Sequence, residues 1–375
     1  MPSFAISNSV TDTIQKMRTK YLEGKNVVDC CGCRSCEQAC PVEAISMQFD
    51  AEGFLYPDVD LDMCIDCGVC AKVCGIDNAN KAKHPQGNFF AAFNNNVQTR
   101  KISSSGGVFS AIAEYVLDRG GVVYGAAFTE DLQLEYTRVE NKEGLDRLRG
   151  SKYIQADTEN SFSQVKRDLE VGRLVYFVGT GCQIAGLKLY LRKDYNNLLT
   201  SDLVCHGTPS IKLFHLFTDK IETDREIKLK DYKFRDKTVN GWSCSSSSSS
   251  YKNRFGREKT ILYDKTMNAY MNAFLSGAIA REVCYECPFV GGERTGDVTL
   301  ADYWSIRKHH PEIDYQHGVS CISVNTESGN KLIKALKANI STRESRYEWA
   351  VDENYNLKGK TIRPKERDAI SLVST

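Results

Sequence analysis

The chain has 375 residues, 41% hydrophobic and 26% charged, with 49 Lys+Arg against 48 Asp+Glu. That length carries two or three cores, and the near-cancelled charge offers no field to hold nucleic acid or an anionic membrane surface. No run reaches the ~18 apolar residues of a membrane span. Met1 to Leu22 lacks an apolar signal core, so the 15 cysteines point to a reducing, cytoplasmic interior where thiols serve metals.

Residues 1–23 read as a lead-in with an approximate helical period over Val10 to Leu22. Residues 24–78 carry nine of the cysteines in two runs with one internal spacing. The first is Cys30, Cys33, Cys36 and Cys40, followed by Pro41; the second is Cys64, Cys67, Cys70 and Cys74, followed by Gly75. Two such runs are the ligand pattern of a two-cluster bacterial ferredoxin, in which the fourth cysteine of each run serves the other cluster. The spacing assigns Cys30, Cys33, Cys36 and Cys74 to one 4Fe-4S cluster, and Cys64, Cys67, Cys70 and Cys40 to the other. Cys31 is left over. Zinc favours paired C-x2-C ligands, and a disulfide framework needs an oxidising compartment. Between the runs, Ala44 to Phe49 and Gly53 to Pro57 predict a short hairpin.

Residues 79–87 read as a linker. From Asn88 the pattern alternates strand and helix. Phe89 to Phe93 and Val122 to Phe128 are strands, separated by Ser103-Ser104-Ser105-Gly106-Gly107 and a helix over Val108 to Arg119 that stops at Gly120-Gly121. A strand over Leu174 to Val178, a turn at Gly179-Thr180-Gly181, a helix over Gln183 to Arg192 and a strand over Leu198 to Val204 make a βαβ unit, so the sheet is partly parallel. Tyr232 to Phe234 and the region Gly241 to Leu262 read as antiparallel additions. Within that region the run Ser245 to Ser250 suits a hairpin better than a tether, against the poor strand propensity of serine. Val298 to Leu300 and Val319 to Val324 are further strands, the latter before a helix over Ser328 to Lys337. The fold class is therefore α+β and α/β: a bacterial-type ferredoxin module followed by a mixed, partly parallel α/β domain.

Six cysteines lie beyond the ferredoxin segment. Cys182 and Cys205 each follow a strand of the βαβ unit, and parallel strands present their C-terminal ends on one rim, where such sheets place their sites. Cys284-x2-Cys287-Pro288 supplies two neighbouring sulfurs. The four together suit a third 4Fe-4S cluster, with structural zinc as the competing occupant. Cys244 and Cys321, inside strands, read as core. The Ser104-Ser105-Gly106-Gly107 and Gly179-Thr180-Gly181 turns each precede a helix and are candidates for a phosphate or flavin pyrophosphate, or for ordinary capping. One-electron clusters need a flavin to join two-electron chemistry.

Taken in order, Ser104-Ser105-Gly106-Gly107, Gly150-Ser151-Lys152-Tyr153, Gly179-Thr180-Gly181-Cys182-Gln183, Cys205-His206-Gly207, Cys284-x2-Cys287-Pro288 and Asp297 to Trp304 resemble the family of coenzyme F-420 hydrogenase/dehydrogenase beta subunits. With the ferredoxin module, the resemblance covers roughly residues 25–335. It implies FAD in the α/β domain, whose first part would be residues 88–172 and second part residues 173–340, with 341–375 as a C-terminal tail. It also implies a cluster on Cys182, Cys205, Cys284 and Cys287. Where this chain has Gly181 the family turn usually has proline. Lys152 is then a candidate for the flavin phosphate or ring, and His206 for proton transfer or a supporting hydrogen bond beside the cluster. Asp302 either faces the pocket or packs on the sheet, and His309-His310 reads as surface. The reading is a cytoplasmic flavin-dependent iron–sulfur oxidoreductase. It would pass electrons between a redox partner protein or ferredoxin and an unknown small-molecule substrate. The alternative is a non-catalytic electron-relay subunit of a larger redox complex.

Overall fold

The structure is a computed structural model that describes residues 21–22, 24–25, 29–238, 240–243, 246–263 and 268–373. The expected lead-in helix, Cys244 and Ser245 lie outside the described residues.

The two cysteine runs fold as a backbone repeat. Each loop has a positive-φ residue on either side of its middle cysteine: Gly32 and Arg34 flank Cys33, and Asp66 and Gly68 flank Cys67. Left-handed conformers turn the chain tightly, and only a strongly determined loop keeps them at Arg34 and Asp66. Each loop enters a five-residue helix, Ser35–Ala39 and Val69–Val73, and ends on an extended cysteine, Cys40 or Cys74, at φ −68°. Strands β1 (Ile45–Phe49) and β2 (Leu55–Val59) pair antiparallel between the halves, as the hairpin reading expects.

Strands β3 (Asn88–Asn94), β4 (Val122–Phe128), β5 (Leu134–Val139), β6 (Val175–Thr180) and β7 (Leu198–Leu203) follow, then β8 (Leu229–Asp236), β9 (Ser246–Lys252) and β10 (Glu258–Tyr263), and last β11 (Val298–Asp302), β12 (Ser320–Val324) and β13 (Ile340–Glu344). An eight-stranded sheet runs β13-β3-β12-β11-β7-β6-β4-β5. Its centre, β11, β7, β6 and β4, is parallel, with antiparallel strands on either flank. The helix Val108–Leu117 covers one face through Val108, Ile112 and Val116, and the helices Ser161–Glu170 and Gly181–Leu191 cover the other through Phe162, Val165, Ile184 and Leu187. Near-continuous apolar runs such as Val122-Val123-Tyr124 suit strands covered on both faces.

The second sheet, β10-β9-β8, packs Tyr232 and Phe234 of β8 against Phe214 and Tyr270. The serine strand β9 lies at its centre, with Ser246 to Ser250 buried. Hydroxyls at Ser247 and Ser248 donate to the Phe234 carbonyl (3.1 Å) and Asp236 (2.6 Å), and Ser249 pairs with the Tyr263 hydroxyl (2.6 Å). Small side chains under an aromatic layer, with most of their hydroxyls bonded and only the Ser250 hydroxyl left without a partner, override the weak propensity of serine.

Two expectations are corrected. Residues 79–87 form no free linker: Ala79–Ala82 is a helical turn whose two alanines bury against Ala185 and Phe289, and His84 bridges to Arg294. Polar neighbours mask that small apolar face in the sequence. No separate turn separates β6 from its helix either. The strand runs to Thr180, the helix begins at Gly181, and the Gln183 side chain accepts from the Thr180 amide (2.9 Å).

Candidate metal centres

The parallel centre of the sheet brings Cys182 and Cys205 to one rim, as β6 and β7 run side by side into them. The loop Cys284 to Cys287 closes over that rim. Cys182, Cys205, Cys284 and Cys287 line one cavity together with Thr180, Gly207, Thr208 and Phe289. The sulfurs already have partners: Gly207 N–H donates to Cys205 (3.3 Å), Phe289 N–H donates to Cys287 (3.4 Å), and Thr180 Oγ1 meets Cys182 at 3.1 Å. Behind the cavity, buried Arg294 pairs with Asp202 of β7 (2.7 Å) and donates to the carbonyls of Phe289 (2.6 Å) and Leu203 (3.1 Å), tying the Cys287 loop to the strand end.

Burial, together with the neighbouring thiols, pushes Cys205 and Cys284 upward in pKa, and Cys287 up to about 12. For Cys182 the leading cause is the Cys31 thiol, then burial. Four thiols in so apolar a cavity ionise only against a compensating positive charge, which a metal centre supplies. Among the described residues no group of three or more His, Cys, Asp or Glu side chains is placed to hold a metal ion. By its chemistry the set of four thiols suits a centre that takes four thiolates, a 4Fe-4S cluster or zinc.

In the ferredoxin segment, Cys36 is pushed up by burial and then by Cys30, Cys74 and Cys70, and Cys70 by burial with Cys67 and Cys64. Thiols of both runs, Cys74 and Cys70 among them, thus lie around Cys36. The first set packs on the helix Gly181–Leu191. A side chain at Gly186 would stand 3.0 Å from Cys33 Sγ, and one at Gly75 would meet Gly186 N at 3.0 Å and the Cys182 carbonyl at 3.2 Å. Close approach of that helix leaves no space at position 75 for the proline that follows Cys40. Cys321 sits in β12 as a buried core thiol.

The Ser-Gly loop is turned toward protein. Ser104 Oγ accepts from Ser151 N–H (2.6 Å), Ser105 Oγ donates to the Val319 carbonyl (3.0 Å), and a side chain at Gly106 would strike the Ala92 carbonyl at 2.5 Å. Gly179 and Gly181 likewise make room for the Tyr136 hydroxyl and the Phe289 side chain. What fits an anion is the N-terminus of the helix Val108–Leu117, which follows Gly107 at φ +81° and has no side-chain cap. Lys152 does not reach it: its ammonium donates to the carbonyls of Arg147, Leu148 and Arg149 (2.9 to 3.0 Å), closing the end of the helix Lys142–Leu148. His206 is also occupied, with Nε2 on the Leu275 carbonyl (3.1 Å) and Nδ1 against Asn356 (2.7 Å). Asp302 pairs with Arg235 and with Trp242 Nε1 (both 2.8 Å), under the stacked Trp242 and Trp304 rings. His310 corrects the surface reading of the histidine pair: it is buried edge-on against Tyr303 and Trp349.

Sequence patterns gave no sign of Lys237, which donates to the carbonyls of Arg100, Ser105 and His317 and pins the Ser-Gly loop. Burial draws both Lys152 and Lys237 down to about 7 from 10.5. Between those values the native chain binds fewer protons than the unfolded one, so stability rises with pH across the window. The Lys152→Met/Lys237→Met double variant should flatten that rise, measured as Tm against pH under anaerobic conditions.

Residues 172–347 match the C-terminal region of the coenzyme F420 hydrogenase/dehydrogenase beta subunits, and residues 89–161 match the N-terminal region of the same proteins. The chain belongs to this family. Residues 29–78 match the 4Fe-4S dicluster domain, so the family fold here follows a ferredoxin module. One curated relative, a subunit of the F(420)H(2) dehydrogenase of Methanosarcina mazei, is 25% identical over 194 residues, covering 47% of this chain and 53% of that protein. The chain thus spans about half the length of the curated relative it matches. A solved structure of the F420-reducing NiFe hydrogenase complex from Methanosarcina barkeri aligns with TM-score 0.47 at 16% identity, covering 78% of this chain and 92% of the other. Membership places the chain among oxidoreductase-related iron–sulfur proteins. Among the described residues no helix is long and apolar enough to cross a membrane.

Proposed function

We propose that this chain is an electron-transfer subunit of a coenzyme F420-type redox complex, with three 4Fe-4S clusters and the two-electron chemistry shared with a partner chain. Cys30, Cys33, Cys36 and Cys74, then Cys64, Cys67, Cys70 and Cys40, and finally Cys182, Cys205, Cys284 and Cys287 would hold them. Bound there, the clusters supply one-electron steps. The observation that carries the reading is the seating of the first cysteine loop on the helix that begins beside Cys182. At the other end Cys67 is exposed, and its segment exposes Leu61, Met63 and Ile65 (61% for Ile65) among Asp58, Asp60 and Asp62. An apolar patch set among carboxylates suits a redox partner whose contact surface is apolar with a basic rim.

The second reading is a self-sufficient flavoprotein oxidoreductase with FAD in the α/β domain, and the uncapped helix after Gly107 favours it. Anaerobically purified chain separates the two. The relay predicts about twelve iron atoms per chain, exchange of electrons with methyl viologen, and no turnover of a hydride acceptor by the isolated chain. Stoichiometric FAD with sustained turnover would establish the second reading, and a folded chain without iron would end both.

A further inference from the structure

Two exposed surfaces of this chain complement each other. The first is the ferredoxin face around Cys67, where Leu61, Met63 and Ile65 stand exposed. Residues 41–71, which include it, hold seven Asp or Glu and no Lys or Arg. The second is the tip of the β9-β10 hairpin. There Phe255 is 72% exposed, beside exposed Lys252, Arg254, Arg257 and Lys259. The tip is a firm turn: Asn253 Oδ1 accepts from the amides of Phe255 and Arg257 (both 3.0 Å), and Gly256 takes φ +74°. The Arg254 guanidinium lies 4.8 Å from the centre of the Phe255 ring. The one carboxylate in this stretch, Glu258, pairs with Lys230 (3.3 Å), and Glu222 of the neighbouring helix end pairs with Lys228 (2.8 Å). A bare aromatic ring held outward among cations by so well bonded a turn marks a contact surface.

We propose that the hairpin tip docks on the ferredoxin face of a second copy of this chain. Phe255 enters among Leu61, Met63 and Ile65, and the tip cations meet Asp58, Asp60 and Asp62. Charge and polarity select this occupant: each surface is an apolar centre in a charged rim, and the two rims are opposite in net sign. One chain does not close the contact on itself. Lys212, at the start of the helix Ile211–Arg225, donates to the Ala51 carbonyl in the turn between β1 and β2 (2.5 Å). The tip instead shares a cleft with Glu222 and Glu226 at the other end of that helix, about 22 Å away. The contact is heterologous, so copies add head to tail and an open assembly leaves one ferredoxin face free. The tip covers the face that the redox partner proposed above would use, so only that end copy exchanges electrons there. This consequence rests on the electron-transfer reading; the contact itself does not.

Sedimentation velocity of the anaerobically purified full chain tests this. The weight-average mass should reach at least about twice that of one chain at low salt, and return to one chain at about 0.5 M salt, where exposed charges are screened. Two variants separate the surfaces. Arg254→Ser/Phe255→Ser/Arg257→Ser removes the tip, Asp58→Asn/Leu61→Ser/Asp62→Asn removes the face, and each alone should stay monomeric at low salt. Mixed in equal amounts they should pair and stop at about two chains, because one supplies the intact face and the other the intact tip. A wild type that is monomeric at low salt would overturn the proposal. So would assembly of the tip variant, or two folded variants that fail to pair. Capture of a monomeric wild type by phosphatidylserine vesicles, lost in the tip variant, would assign the tip to an anionic membrane in place of a second copy. Iron analysis keeps the contact apart from the electron-transfer reading. A monomeric chain with about twelve irons sinks the contact alone, and an assembling chain without iron sinks the reading alone.

Discussion

Cys205→Ala should bind about eight iron atoms per chain in place of about twelve, with both ferredoxin-type signals intact. Cys205 ends β7 and takes its amide donor from Gly207, so its loss touches no residue of the ferredoxin loops. Three remaining thiols in an apolar cavity cannot complete a four-thiolate set. Their ionisation, already opposed by burial, becomes harder without the cluster charge. Cys321→Ala is the matched control. That thiol is also buried and pushed up to about 12, but its neighbours are the apolar side chains around β12, and iron content should not change. Inductively coupled plasma analysis of both variants decides the matter. Twelve irons in Cys205→Ala would remove this residue from the centre, and a zinc ion lost in place of four irons would identify the site as structural.

The ferredoxin module was legible because metal binding imposes fixed spacing on a short stretch of chain. The repeat from Cys30 to Cys74 follows directly from that, and the dicluster match covers the same residues. The rim pair was legible for a topological reason: a strand, a helix and a second strand in about thirty residues can only return parallel, so Cys182 and Cys205 had to share an edge. Interactions made with backbone left no such trace. The acceptors of Lys152 and Lys237 are carbonyl oxygens, which every residue owns, so no pattern marks them. The place of Cys31 was unreadable because the cavity it lines is built mostly by residues remote in sequence. The turn at Gly179 to Gly181 suits either an anion or ordinary capping by its sequence, and in the fold Tyr136 and Phe289 fill the space a side chain there would need. Position 75 shows the converse: glycine stands there, where the first run has Pro41, and the helix Gly181–Leu191 docks against it.

Docking of the ferredoxin module depends most on Arg281, and Arg281→Met should loosen it. This side chain is fully buried, at 0% exposure, and donates to the Cys30 carbonyl (2.7 Å), the Leu55 carbonyl (2.7 Å) and Gln155 Oε1 (2.9 Å). Its guanidinium lies 4.0 Å from the centre of the Tyr56 ring, and its own amide donates to the Thr208 carbonyl. One residue thus joins the first cysteine loop, β2 and the segment leading to Cys284. Methionine fills the volume but leaves three buried acceptors unpaired, at about 1–3 kcal/mol each, a total comparable with much of the roughly 5–15 kcal/mol that holds a domain folded. Other contacts persist across the seam, Arg34 with Asp157 and Gln38 with the amides of Phe162 and Ser163 among them. The module should therefore swing loose before the sheet unfolds. Limited proteolysis should cut residues 79–87 in the variant and spare them in wild type, and the cluster chromophore should bleach at lower denaturant than the far-ultraviolet signal. Arg281→Lys should behave almost as badly, since a single ammonium cannot span three acceptors set around a planar fork. Coincident transitions at the wild-type midpoint would show that Arg34 and Gln38 hold the module without Arg281.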